Sequence, residues 1–148
     1  MIAVDTNILV YAHRRDSEWH QQAAAAVLHL AEGSAPWGIA WPCAHEFLSI
    51  VTHPRIYRPP TPLPIAIDQV ESWLESPSLR MLGELQGHWK ELKELLMSGR
   101  ITGGAVHDAR IAAICREHGI QELWSADRNF SRMAGVTVRN PLVSAAPG

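Results

Sequence analysis

The sequence predicts an α/β protein whose parallel sheet is covered by helices on both faces. Three observations lead there. Short apolar segments suited to strands, at 2–4, 37–41, 79–82, 122–124 and 136–138, alternate with longer segments of helical spacing. Polar residues follow the strands, Asp5-Thr6-Asn7 after the first and residues 125–129 after the fourth. The 148 residues suffice for one well-filled core and not for two, so the whole chain, 1–148, reads as a single domain.

Taken in order, the strand Ile2-Ala3-Val4 passes through Asp5-Thr6-Asn7 into an apolar turn at 8–11, after which Ser17 is placed to cap an alanine-rich helix running to about Gly33. Residues 37–41 form a second strand, and Pro42 suits the first turn of a helix carrying Glu46, Phe47, Ile50 and Val51. The five prolines between His53 and Pro64 require an extended loop there. Segments 65–74 and 88–96 have the periodicity of amphipathic helices, with Leu79–Leu82 as a strand between them. Gly103-Gly104 loosens the backbone before a helix over 105–118. The strand 122–124, a turn, a short helix around Phe130 and a strand at 136–138 complete the pattern. In such a sheet ligands sit beyond the carboxyl ends of the strands, which directs attention to the residues after Val4, Trp41 and Trp124.

Composition narrows the function classes. A hydrophobic share of 47% with 19% charged residues is that of a globular chain and excludes a solvated, disordered one. Apolar stretches such as 23–28 end well short of a membrane span, and no leader segment is visible ahead of the first strand, so a cytoplasmic location without membrane association is expected. Cys43 and Cys115 fall inside apolar helical segments and read as reduced core thiols. The net charge of -2 argues against indiscriminate binding to nucleic acid but allows a basic rim around an acidic pocket.

Acidic residues occupy the informative positions. Of five aspartates, Asp5, Asp108 and Asp127 lie where a strand ends or a buried helix begins. Glu46 shares an apolar helical stripe with Cys43, Phe47 and Ile50. Each has an ordinary reading: Asp5 and Asp127 as helix caps, Asp108 as an acid near a helix N-terminus, and Glu46 as the edge of its stripe. Together they are more specific, because strand-end and helix-start positions of a parallel sheet meet on one rim. Two unit charges about 4 Å apart repel by roughly 4 kcal/mol at an effective dielectric near 20, so protons or cations must resolve such a cluster. An all-oxygen set favours magnesium or manganese over zinc, and none of the eight histidines forms an HExxH motif.

These segments resemble the PIN-domain nucleases, and within them the VapC toxins. The likeness is carried by VDTNILVYA at 4–12, Glu46 after the second strand, VHDARIAA at 106–113, SADRNF at 125–130 and VRNP at 138–141. It implies a PIN-like three-layer α/β/α fold with a parallel sheet of about five strands. It assigns metal binding and catalysis to Asp5, Asp108, Glu46 and Asp127, with Thr6, Asn7 and Ser125 orienting the carboxylates. Many relatives carry an aspartate immediately before the phenylalanine of the fourth motif; Asn129 stands there in this chain, so either Asp127 or the Asn129 position completes the set. The resemblance further implies a homodimer, a VapB-like antitoxin, a toxin–antitoxin assembly, and structured RNA, transfer or ribosomal, as substrate.

The expected chemistry is hydrolysis in line by a metal-activated water, leaving a 5′-phosphate and a 3′-hydroxyl. Arg14, Arg15, Arg55, Arg58, Arg110 and Arg128 are candidate phosphate contacts as a group, although each alone reads as a solvated arginine. Two rivals stand beside this reading. A phosphoaspartyl phosphatase or receiver also places Asp after a first strand, but the phosphatase pattern needs a second aspartate where Asn7 stands, and both need a lysine near the site, whereas the only lysines are Lys90 and Lys93 on an amphipathic helix. The other rival is a PIN-like binding module that has lost catalysis.

Overall fold

The computed structural model describes residues 1–143; residues 144–148, included in the single-domain reading, lie outside the described residues. Five strands, β1 (Ile2–Val4), β2 (Trp37–Ala40), β3 (Leu79–Leu82), β4 (Glu122–Trp124) and β5 (Thr137–Arg139), form one all-parallel sheet in the order β3-β2-β1-β4-β5. Ala3 pairs with Gly38 on one side and Leu123 on the other, so β1 is the central strand. Gly38 keeps β2 close to β3, since a Cβ there would meet Leu82 Cδ1 at 2.7 Å.

Among the described residues six α-helices, α1 (Thr6–His13), α2 (His20–Glu32), α3 (Trp41–Val51), α4 (Leu63–Leu74), α5 (His88–Gly99) and α6 (Ala105–Glu117), and a 3-10 turn (Arg128–Arg132) connect the strands. The chain steps outward from β1 to β2 and β3, then returns across the sheet to β4. Right-handed crossovers in opposite directions put α1–α4 on one face and α5–α6 on the other. Helix α1 packs on α2 and α3, α3 on α4, and α5 on α6. Trp37, Phe47, Ile8, Leu9 and Leu123 are fully buried between these layers, and Phe47 meets Trp73 edge-on at 4.8 Å. Cys43 and Cys115 are both free and buried, as core thiols should be.

The structure moves several predicted boundaries. The apolar turn at 8–11 belongs to a full helix, α1, although its Ile8-Leu9-Val10 run has modest helix propensity; burial of all three residues stabilises it. Ser17 does not cap the alanine-rich helix: its hydroxyl accepts the Trp19 N–H at 3.1 Å in a local turn, and α2 starts at His20. Trp41 begins α3 rather than ending β2, because Pro42 is already in the first helical turn. Likewise α4 starts at Leu63, with Pro64 in its first turn, two residues before the predicted position.

Because strand order reverses direction between β1 and β4, the crevice of this sheet opens beyond the carboxyl ends of those two strands. Asp5 and Ser125 are the residues that immediately follow them.

Candidate metal centre at the end of the central strands

Asp5 leaves the sheet last. Its N–H still donates to the Trp124 carbonyl at 2.9 Å, while its side chain is turned inward and the residue is only 5% exposed. The Ser125 hydroxyl donates to Asp5 Oδ2 at 2.7 Å, and the Cys43 thiol lies 3.7 Å from Oδ1. Ser125 is also the acceptor for the Asp127 N–H at 3.0 Å and for Asn7 Nδ2 at 3.4 Å, and Asn7 Oδ1 takes the Ala126 N–H at 3.2 Å. Asn7 thereby ties the start of α1 to the loop after β4, and one serine oxygen serves three groups.

This lattice distinguishes the readings of Asp5. The residue precedes α1 in extended conformation, but its side chain makes no capping hydrogen bond to that helix. Burial raises its carboxyl to about 6 from 3.8, Ser125 and the Thr6 backbone pull the other way, and the nearby charges of Glu46 and Asp108 push it up further.

Glu46 projects from α3 and is exposed, with the Thr6 hydroxyl donating to its Oε2 at 3.4 Å. Asp108 lies in the first turn of α6, where the helix dipole favours a low carboxyl pKa. It is nevertheless raised, first by desolvation and then by Asp127 and Glu46, with His107 opposing. Repulsion and burial therefore outweigh the dipole. For Asp127 the capping reading is realised: its Oδ1 accepts the Asn129 N–H at 2.8 Å at the start of the 3-10 turn Arg128–Arg132. Its charge still acts on Asp108, so the four acids form one electrostatic neighbourhood.

None of the four carboxylates forms an ion pair among the described residues. Nor do any three histidine, cysteine, aspartate or glutamate side chains among them form a closed ligand group. What the donors share is hard oxygen chemistry and negative charge that no Lys or Arg among the described residues pairs with, which fits a divalent cation of the magnesium type better than zinc.

Two clefts flank the acids. One, of about 480 Å³, lies between α3 and α6 and is lined by His45, Glu46, His107, Asp108 and Arg110 among others. The second, of about 590 Å³, is bounded by Ser125, Asp127, Arg128 and Phe130. Of the six candidate arginines, Arg110 and Arg128 thus border the acids. Arg14 and Arg15 do not: they follow the far end of α1, about 12 Å of helix from Asp5, because the segment expected to be a single turn is a helix. Arg14 is also engaged there, 2.6 Å from Asp16, 3.2 Å from the Thr61 hydroxyl and stacked 4.3 Å over the Tyr57 ring. Arg55 and Arg58 are exposed on the loop between α3 and α4.

Sequence reasoning missed the role of Cys43. Burial raises its thiol well above the usual range, so it stays protonated and can donate to Asp5. Its position three residues before Glu46 on α3 was the available signal.

The family model for the PIN domain matches residues 2–136. The chain belongs to the PIN-domain family. Among curated proteins it is 32% identical over 137 residues to Ribonuclease VapC48 of Mycobacterium tuberculosis, covering 93% of this chain and 94% of that one, which places it with the VapC ribonucleases. Among solved structures, VapBC2 from Rickettsia felis, crystallised with a DNA fragment from its promoter, superposes with a TM-score of 0.69 at 18% identity over 95% of this chain and 98% of that one. Mycobacterium tuberculosis VapC20, described as a sarcin–ricin-loop-cleaving toxin, gives 0.69 at 18% identity over 95% and 100%. At such identities these structures speak for the PIN fold alone. Among the described residues no helix of this VapC-type chain is long and apolar enough to cross a membrane.

Proposed function

We propose that this VapC-type ribonuclease is a magnesium-dependent endonuclease, with manganese able to substitute, that cuts structured RNA of the transfer or ribosomal kind. The observation carrying the proposal is the group of acids at the β1–β4 crevice, buried or mutually repelling and, among the described residues, without an ion pair to Lys or Arg. Asp5, Asp108, Glu46 and Asp127 would hold the cation, which when bound neutralises phosphate charge and activates water for attack. The chain's own groups keep those carboxylates in place. Ser125 fixes the rotamer of Asp5 and Asn7 fixes Ser125, while Thr6 steadies Glu46. Arg110 and Arg128, which line the two clefts beside the acids, would meet the anionic backbone on either side of them.

The same reading makes the chain the toxin of a toxin–antitoxin pair acting in the cytoplasm, held in check by a VapB-like antitoxin within a larger assembly. A homodimer is supported by large apolar side chains exposed on one helix, Leu63, Ile65 and Ile67 of α4. The test is incubation of the purified chain with total RNA in magnesium and in chelator. Discrete fragments bearing 5′-phosphates, formed only with the metal and abolished by Asp108→Asn, are expected. Metal-independent cleavage, or none with either ion, contradicts the proposal.

A further inference from the structure

We infer that Arg110 is a phosphate-positioning residue of this ribonuclease and that Glu84, outside the acid cluster, is the residue that orients it. The inference rests on the proposed RNA-cleaving site and adds to it. Arg110 lines the cleft that holds Glu46 and Asp108, and among the described residues it is the one Lys or Arg that does. Its Nε donates to Glu84 Oε1 at 2.6 Å, whereas its two outer nitrogens have no partner among the described residues. A guanidinium held by Nε has its plane set and its outer pair of donors free, the arrangement that suits capture of a phosphate.

Glu84 can do this because its loop is pinned from both sides by Glu117 at the end of α6 and by His118, the residue that follows it. His118 Nε2 donates to the Gly83 carbonyl at 2.7 Å, and the Leu85 N–H donates to Glu117 Oε1 at 3.1 Å. The other oxygen of Glu117, whose side chain is 3% exposed, meets His88 Nδ1 at 2.9 Å, and His88 Nε2 lies 3.8 Å from Glu84. Arg110 and Glu117 are two helical turns apart on the same face of α6, so one helix carries both the arginine and the latch that places its anchor.

The Arg110–Glu84 pair is surface-exposed, each side chain at 43%, so its contribution to stability is small and its effect is on orientation. That gives a test whose sign discriminates. Removing the negative charge of Glu84 beside a polyanion site should, by charge alone, improve RNA binding. If Glu84 orients Arg110, Glu84→Ala, which removes both the charge and the acceptor of the Arg110 Nε–H, instead raises KM for a structured RNA, by about threefold to tenfold, with kcat nearly unchanged and Tm within about 2 °C of wild type. Arg110→Ala raises KM by at least as much, Arg110→Lys does not restore it, and the double variant is no worse than Arg110→Ala. A lowered or unchanged KM in Glu84→Ala, or multiplicative effects in the double variant, overturns the inference. Asp108→Asn in the same assay keeps the two levels apart. If it cleaves as well as wild type, the ribonuclease site itself is wrong and the inference falls with it; if it is inactive while Arg110→Ala behaves as wild type, only the inference falls.

Discussion

The two sides of the acid site are built to different standards. On the strand side, Asp5 is buried, receives a 2.7 Å hydrogen bond from Ser125, and is locked through Asn7 and Ala126 to the loop after β4. On the helix side, Glu46 is exposed, with one 3.4 Å contact from Thr6, and Asp108 is half-buried at the start of α6. The difference separates two tasks. A carboxylate fixed in the sheet provides a rigid reference point at the cost of desolvation. Carboxylates on helices can adjust to a cation and a substrate with little strain. In this account Asp5 is preorganised and Glu46 and Asp108 complete the site.

The largest expected effect follows from that asymmetry. Asp5→Asn should lower RNA cleavage by on the order of a hundredfold or more while leaving the metal-free fold as stable as wild type or more so. Glu46→Gln should cost clearly less activity, which rate measurements on one RNA would show. Equal losses at both positions would remove the distinction between a fixed and an adjustable half.

Next in size is a pH effect confined to the strand side. Asp5 titrates near 6 in the folded chain against 3.8 when unperturbed, so the folded state holds this proton more tightly. Its contribution to stability is fully present below 3.8 and is lost as pH rises through about 6, amounting to about 3 kcal/mol for a two-unit shift. Denaturant melts of the metal-free chain across that window should show wild type losing stability relative to Asp5→Asn as pH rises. Parallel curves would place the charge elsewhere.

Much of this was legible in the sequence. The five strands could be read because each overlaps a short apolar segment set between stretches of helical spacing, and the acids stood out because they interrupt apolar surroundings. Helix α1 was not legible, since Ile8-Leu9-Val10 owes its conformation to burial against other layers. That error carried Arg14 and Arg15 to the rim of the site. The Cys43–Asp5 contact and the Glu84 anchor of Arg110 depend on a helix meeting a strand end or a loop from a distant part of the chain, which local spacing does not record.

Ser125→Ala sharpens the comparison further. It removes the hydroxyl that meets Asp5, Asp127 and Asn7, so a loss of about 1–3 kcal/mol is expected together with a higher Asp5 pKa. The smallest effect belongs to Thr6→Val, whose lost hydroxyl makes a long 3.4 Å contact with exposed Glu46 and faces the Cys43 thiol, and should cost about 1 kcal/mol or less. Urea midpoints of the two variants give the ranking, and a Thr6 loss exceeding that of Ser125 would reverse it.

The most direct test of the central claim, that these acids form a cation site, is the thermal melt of wild type, Asp5→Asn and Asp108→Asn with magnesium titrated from none to saturation. By mass action the wild type should gain stability, about 2.7 kcal/mol at a hundredfold excess over Kd, and both variants should gain much less. An equal magnesium response in all three proteins would contradict the account.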